Sequence, residues 1–348
     1  MANVKINQLP SGNYNAKVYD YTDPGGKRHY KSLTARTKGE VKLMIAEFLS
    51  TRNIKNEARE DITLGEAVDK YIESKINILS PSTVREYKQT RRNRYHDIMS
   101  LPVSKITSVI LQQEINNDAL TRAPKTVRNG YGLISSAIHF VSPEKHFDVL
   151  LPQKVKPQII IPTENEMQAL LTHIKDTDLE IPVLLCAVCG MRRSEIAALK
   201  WSDVDLDNGL LSIRSAVVLD ENKNFVEKGT KTTSGTRTIK IFTPVLNVLK
   251  RANKDTEYVS LLNPSKITDH FFTALNRAGI RHFRFHDLRH YAVSVMLSLN
   301  MPKKYIADYV GHKSEKMIDT VYGHIMINAQ NRFMTAVDNY YTALLQYN

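Results

Sequence analysis

Residues 4–35 alternate polar and apolar positions in the stretches "GNYNAKVYDYTD" and "KRHYKSLTA", on either side of Pro24, Gly25 and Gly26. A period of two bounded by turn formers predicts a small antiparallel sheet. The period then lengthens. Thr37 and Glu40 form a capping-box pair ahead of Val41, Met44, Ile45, Phe48 and Leu49, whose spacing places them on one helical face. Three strands and one helix bury little apolar surface, so this unit is expected to be small and to lean on a partner.

After the polar stretch "STRNIKNEARED", Thr63 and Glu66 make a second capping box and open a region whose pattern is helical to about Val141. Ser80 and Pro81 suit an N-cap and a first helical position, and the sequence that follows, "STVREYKQTRRNRYHDIM", reads as one helix. Arg85, Lys88 and Arg92 fall on one face of it at i, i+3 and i+7. Such a face suits phosphate, or is simply solvated. A last helix, "APKTVRNGYGLISSAIHFV", carries Lys125 and Arg128 at its start, where the positive helix end adds to phosphate attraction.

"SPEKHFDVLLPQKVKP" has no periodicity and three prolines, so a linker is expected near residues 143–160. Thr163 and Glu166 then repeat the capping-box signature. Strand-like "LLSIRSAVV", "NFVEKG" and "TRTIKIF" lie between two helical regions, predicting helices packed around a small antiparallel sheet. The fold class is multidomain α+β: a small N-terminal three-stranded sheet plus helix over 1–58, an all-helical domain over 59–150, and a mixed, mostly helical domain over 151–348. The tail after position 322 places Phe333, Val337, Tyr340, Tyr341 and Leu344 near helical spacing.

Composition narrows the function classes. The 348 residues hold 48 Lys+Arg against 36 Asp+Glu, a formal net charge of +12, which favours a polyanionic partner. Residues 1–60 alone hold 11 basic and 6 acidic residues, more than their share of the excess. No run reaches the roughly 18 apolar residues of a membrane span, and the start lacks the apolar core of a signal peptide. Cys186 and Cys189 form a C-x-x-C pair, but no second Cys or His pair stands at ligand spacing, so helix packing is expected and no metal. A cytoplasmic protein that meets no membrane is expected.

Four segments in the last domain carry reactive residues: "GMRRSEIAALKWSDV", "GTKTTSGTRTI", "HDLRH" and "VGHKSEKMIDTVYGH". In this order, and with these flanking residues, they resemble the boxes of the tyrosine recombinase (phage integrase) family. The resemblance implies DNA strand breakage and rejoining, with catalytic residues Arg192, Lys231, His286, Arg289 and His312 and the nucleophile Tyr322. Lys228 is the rival for the lysine.

The residue types fit that chemistry. A tyrosine ester conserves phosphodiester bond energy, so no cofactor is required. Tyrosine is protonated at neutral pH, and His286 is the expected base. Two guanidinium forks, Arg192 and Arg289, suit the non-bridging oxygens, with His312 as a further donor and Lys231 as the acid that protonates the leaving 5′ oxygen. The division of base and acid roles among His286, His312 and Lys231 stays open, and Glu195 is expected to orient the arginines.

By the same resemblance, the first unit matches an arm-type DNA-binding domain, with Lys17, Lys27, Arg28 and Lys31 as contact residues, and the second a core-binding domain using Arg85, Lys88, Arg92, Lys125 and Arg128. An integrase of a temperate phage or an integrative conjugative element then follows. Its expected partners are double-stranded DNA with core-type and arm-type attachment sites, three further copies in a homo-tetramer, an excisionase and a host DNA-bending protein. The C-terminal tail is expected to dock on a neighbouring protomer. A type IB topoisomerase-like or resolvase-type strand transferase is the alternative.

Overall fold

The computed structural model describes residues 4–22, 28–57, 62–155, 159–229, 236–312, 314–316 and 318–319. Contacts divide the chain into two compact units, residues 1–79 with 83–155 and residues 80–82 with 156–348. None of the described helices is long and apolar enough to cross a membrane.

The first unit opens with the expected sheet, β1 (Ile6–Gln8), β2 (Tyr14–Thr22) and β3 (Arg28–Ala35), antiparallel in the order β1-β2-β3. Ala16, Val18 and Leu33 are buried, as is Val41 of α1 (Lys38–Glu57). The Thr37–Glu40 capping box is present, each backbone N–H donating to the other's side chain at 3.1 and 3.2 Å. Strand alternation sorts the basic residues of this sheet by face. Lys17 shares the face opposite the buried one with Tyr19, and the register Tyr19↔Tyr30 adds Tyr30 and Arg28 to it. Lys31 lies opposite Val18 on the helix side, its ammonium 5.0 Å from the Phe48 ring. Lys27 lies outside the described residues.

Helices α2 (Leu64–Lys75), α3 (Pro81–Asn93), α4 (His96–Met99), α5 (Ser108–Thr121) and α6 (Pro124–Val141) follow, with a 3-10 turn at Val103–Lys105. Thr63 and Glu66 cap α2 reciprocally. Leu64, Val68, Ile72, Ile98, Leu111, Leu133, Ile134 and Ile138 make the core. One expectation is corrected. The helix read over 82–99 is broken, because Tyr95 takes a left-handed conformation (φ 59°). That turn sends the Arg94 guanidinium to the carboxylate of Asp118, with the Tyr95 hydroxyl 3.1 Å away, and buries Ile98 and Met99. Gly130 leaves the room: a Cβ there would overlap the Arg94 guanidinium.

The second unit contains α7 (Glu164–His173), α8 (Glu180–Ala187), α9 (Arg193–Ile196), a 3-10 turn at Trp201–Asp203, strands β4 (Val204–Asp205), β5 (Leu210–Ile213), β6 (Ser215–Leu219), β7 (Phe225–Gly229) and β8 (Arg237–Lys240), then α10 (Thr243–Arg251), α11 (Pro264–Arg277), α12 (Asp287–Ser298) and α13 (Lys303–Val310). Thr163 and Glu166 cap α7 as expected. Residues 210–218 were expected as one strand. They divide at Arg214 between two sheets, β4-β5-β8 and β6-β7, so the single small sheet of the sequence reading is two. After Glu180, helix α8 is apolar throughout, and Val183, Leu185 and Cys186 are fully buried in the core. Both cysteines are free and buried, and the Cys186 thiol donates to the Phe285 carbonyl. A second cluster packs Val293, Met296 and Leu297 of α12 against Ile306 and Val310 of α13.

Candidate active site

Helix α8 ends where glycine allows it to turn. Gly190 is left-handed (φ 64°), and the N–H groups of Gly190 and Met191 donate back to the Cys186 and Leu185 carbonyls at 3.1 Å each. The chain then extends for one residue, Arg192 (φ −77°, ψ 147°), before α9 begins. Glu195 stands at the third position of α9, and its carboxylate accepts the Arg192 backbone N–H at 3.0 Å. The same carboxylate pairs with the Arg192 guanidinium at 2.6 Å. The turn and its arginine are thus held by one acid.

Two further segments meet this turn. Arg289, on the first turn of α12, is 2% exposed, and its Nη1 donates to the Gly190 carbonyl. Gly311 ends α13 in a left-handed conformation (φ 75°), and its carbonyl accepts from Arg192 Nη2 at 2.6 Å. His312 follows, its backbone N–H tied to the Ala307 carbonyl at 2.8 Å. His286 stands immediately before α12 without a side-chain capping hydrogen bond, its ring centroid 5.1 Å from that of His290. Arg192, His286, Arg289 and His312, which come from three separate segments of the sequence, therefore come together. Lys231 and Tyr322 lie outside the described residues, as do His324, Tyr340, Tyr341 and the rest of the tail. Lys228 sits on β7 opposite Ala216.

Electrostatics mark this cluster as short of negative charge. Burial, followed by the charge of Arg192, lowers the Arg289 pKa to about 9, against the opposing pull of Glu195. His312 is lowered to about 3 by burial and then by Arg289 and Arg192. His286 is lowered to about 4, first by desolvation, then by His290 and Arg289. The residue as a whole is nonetheless exposed. Glu195 behaves oppositely: burial works to raise its pKa, but the hydrogen bond and charge of Arg237, then the charge of Arg192, outweigh this and lower it. Two buried nitrogens here, Arg289 Nη2 and His312 Nδ1, have no hydrogen-bond partner. An unpaired guanidinium nitrogen and an unpaired imidazole nitrogen, in a cluster where Arg192, Arg237 and Arg289 share the one carboxylate of Glu195, suit an anion with several acceptor oxygens.

An open cavity of about 440 Å³ adjoins the cluster, lined by Arg192, Arg193, Ser194, Thr268, Arg284 and His286 among others. Arg193 bonds the Thr268 hydroxyl, and Arg284 pairs with the buried Asp287 at 2.8 Å. No described group of three or more His, Cys, Asp or Glu residues is arranged to hold a metal ion.

Among the expected DNA-contact residues, Lys17, Arg28, Arg92 and Lys125 are exposed. Arg128 is partly buried and donates to the Pro152 carbonyl at 2.8 Å. Arg85 is partly buried, with its Nε lacking a partner. Sequence reasoning missed Arg237, which joins the cluster at the start of β8. It was visible in "SGTRTI", but nothing local to that stretch shows that it reaches Glu195.

Residues 162–328 match the family model described as the phage integrase family. Over 92% of its length the chain is 22% identical to a tyrosine recombinase XerC-like protein of Caldanaerobacter subterraneus, covering 95% of that protein. It is 25% identical to the integrase of Staphylococcus phage L54a, covering 83% of this chain and 85% of the phage protein. A solved structure of the Tn1549 transposon integrase with transposon right end DNA is similar in fold at a TM-score of 0.65, with 15% identity over 80% of this chain and all of that one. A lambda integrase dimer bound to a core site gives a TM-score of 0.59 at 16% identity, over 92% of this chain and 95% of that one.

Proposed function

Residues 162–328 place this chain in the phage integrase family of tyrosine recombinases, and from that membership we propose a specific residue-level mechanism for its cutting and rejoining of DNA. The enzyme is a site-specific recombinase that integrates a mobile element, and its partner is DNA. The observation that carries the residue assignment is the buried, cation-rich pocket in which Arg289 Nη2 and His312 Nδ1 lack partners beside Arg192. A phosphodiester supplies the missing charge and acceptors.

In this reading Arg192 and Arg289 hold the non-bridging oxygens, and His312 donates a further hydrogen bond. The Tyr322 phenolic oxygen attacks phosphorus, and the bond to the 5′ oxygen breaks, leaving a 3′-phosphotyrosyl linkage. Lys231 protonates the departing oxygen. The lowered pKa keeps His286 neutral at pH 7, the form that accepts the tyrosine proton, and the charge of a bound phosphodiester strengthens it as a base. Rejoining runs the same transfers backwards, with a 5′ hydroxyl attacking the phosphotyrosine.

The domain reading is an arm-type unit over 1–58, a core-binding unit over 59–150 and the catalytic domain over 151–348. Four copies act on core-type and arm-type sites in the cytoplasm of a bacterial host, with an excisionase and a host DNA-bending protein setting direction. The lambda integrase of known structure forms a tetramer on a Holliday junction, which supports the tetramer. The exposed face with Lys17, Arg28, Tyr19 and Tyr30 is the arm-site surface.

The test is incubation with a duplex containing the attachment site of its element, then denaturing separation of the covalent protein–DNA adduct. Tyr322→Phe abolishes the adduct and keeps binding. A persistent adduct moves the nucleophile elsewhere, and relaxation of plasmids lacking any attachment site favours the topoisomerase-like alternative.

A further inference from the structure

Arg237 is buried, with its side chain 7% exposed, and every arm of its guanidinium is engaged. Nη2 and Nη1 bond the two Glu195 oxygens at 2.9 and 3.3 Å, and Nε donates to the Tyr309 carbonyl at 2.9 Å. Its plane also fills the space beside Gly311, where an added Cβ would stand 2.8 Å from Nη1. Its backbone is fixed as well, since Arg237 opens β8 and pairs with Ile213 of β5. One side chain therefore touches the acid that orients Arg192 and the helix end that presents the Gly311 carbonyl to Arg192 and leads into His312.

We propose that Arg237 is a positioning residue for strand cleavage, fixing Arg192 through Glu195 and His312 through the Tyr309–Gly311 turn. The proposal rests on the recombinase reading above. Arg237 stands six positions after Lys231, so the strand that follows the lysine segment is itself tied to the phosphate-binding arginine. Lysine is no substitute at this position: a single ammonium cannot reach both Glu195 oxygens and the Tyr309 carbonyl in one plane.

The geometry gives a readout that mere loss of packing does not. Glu195 faces Arg192 at the start of α9, Arg237 on β8, Arg289 on α12 and Cys186 on α8, and Arg237 contributes most to holding it ionised. Without Arg237, Glu195 protonates at higher pH and releases Arg192. The acid limb of the cleavage profile should move upward.

The experiment uses full-length protein, the attachment-site duplex, single-turnover adduct formation across pH, and DNA affinity measured separately. Arg237→Gln should lower the cleavage rate by roughly ten- to a hundredfold at pH 7, raise the acid limb and leave DNA affinity nearly unchanged. Arg237→Lys should restore the acid limb, because the charge returns, without restoring the rate. An unmoved acid limb in Arg237→Gln, or parallel loss of affinity and cleavage, overturns the proposal even if the variant melts earlier. If the unaltered protein forms no Tyr322-dependent adduct, the recombinase reading fails and takes this inference with it.

Discussion

Replacing Gly190 by alanine tests whether the turn before Arg192 requires the absence of a side chain. The residue is left-handed at φ 64°, which costs an L-amino acid about 1–2 kcal/mol. An added Cβ would also stand 2.7 Å from Val310 Cγ1 and 3.4 Å from Val310 Cβ, on a buried residue of α13 that has no room to withdraw. Overpacking of this kind costs roughly 1–3 kcal/mol. The two effects together amount to about 2–5 kcal/mol, or a fall in Tm of roughly 4–20 °C for a unit of this size. The Gly190 carbonyl also receives the Arg289 guanidinium, so DNA cleavage should fall further than the melting loss accounts for at a temperature where the variant is folded. Val310→Ala separates the two causes. It removes the overlap but not the strain, so in the double variant part of the Gly190→Ala loss should disappear as a coupling of about 1–3 kcal/mol. Thermal melting of the four proteins gives this cycle directly. A Gly190→Ala variant that melts with the parent, or a double variant whose losses simply add, would refute the account of the turn.

Arg289→Lys should reduce single-turnover cleavage on the order of 10²–10³-fold, since an ammonium cannot replace the fork at a developing charge; a parental rate would remove Arg289 from the phosphate site. Glu195→Gln leaves Arg237 and Arg192 without their shared countercharge and should cost about 3–5 kcal/mol in denaturant unfolding. For pH, His286 and His312 titrate at about 4 and about 3 in the folded protein against 6.5 in the unfolded one. The unfolded chain therefore binds protons first, and the stability these groups contribute is full above pH 6.5 and lost as pH falls toward 4 and 3. Melting temperature without DNA should decline over that range, less steeply in a His286→Asn, His312→Asn variant; identical slopes would show that other groups drive the decline. Arg92→Gln and Lys125→Gln should each lower the slope of log affinity against log salt by about 0.9, and unchanged slopes would place both side chains off the DNA.

Local features were legible in the sequence. The capping boxes at Thr37, Thr63 and Thr163 lie where expected because each closes within four residues. The amphipathic helices and the N-terminal sheet were equally plain from period alone. The break at Tyr95 was not, because it is set by the pairing of Arg94 with Asp118, 24 positions along the chain, and by the missing side chain of Gly130. The division at Arg214 was hidden for a similar reason. Residues 210–213 pair with 237–240 and residues 215–219 with 225–229, and an alternating stretch does not say which partner each half will take.

The sequence by itself determined which reactive residues the protein has and in what order, since the types in "GMRRSE", "HDLRH" and "GHKS" define the chemistry wherever they fold. Tertiary structure decided how they are charged and held. Arg289 and His312 have depressed pKa values because folding removes them from water and places Arg192 beside them. Glu195 remains ionised although buried because Arg237 arrives from a strand 42 positions away. Proximity of that range, and the desolvation that strengthens every charge within it, exist only once the chain has packed.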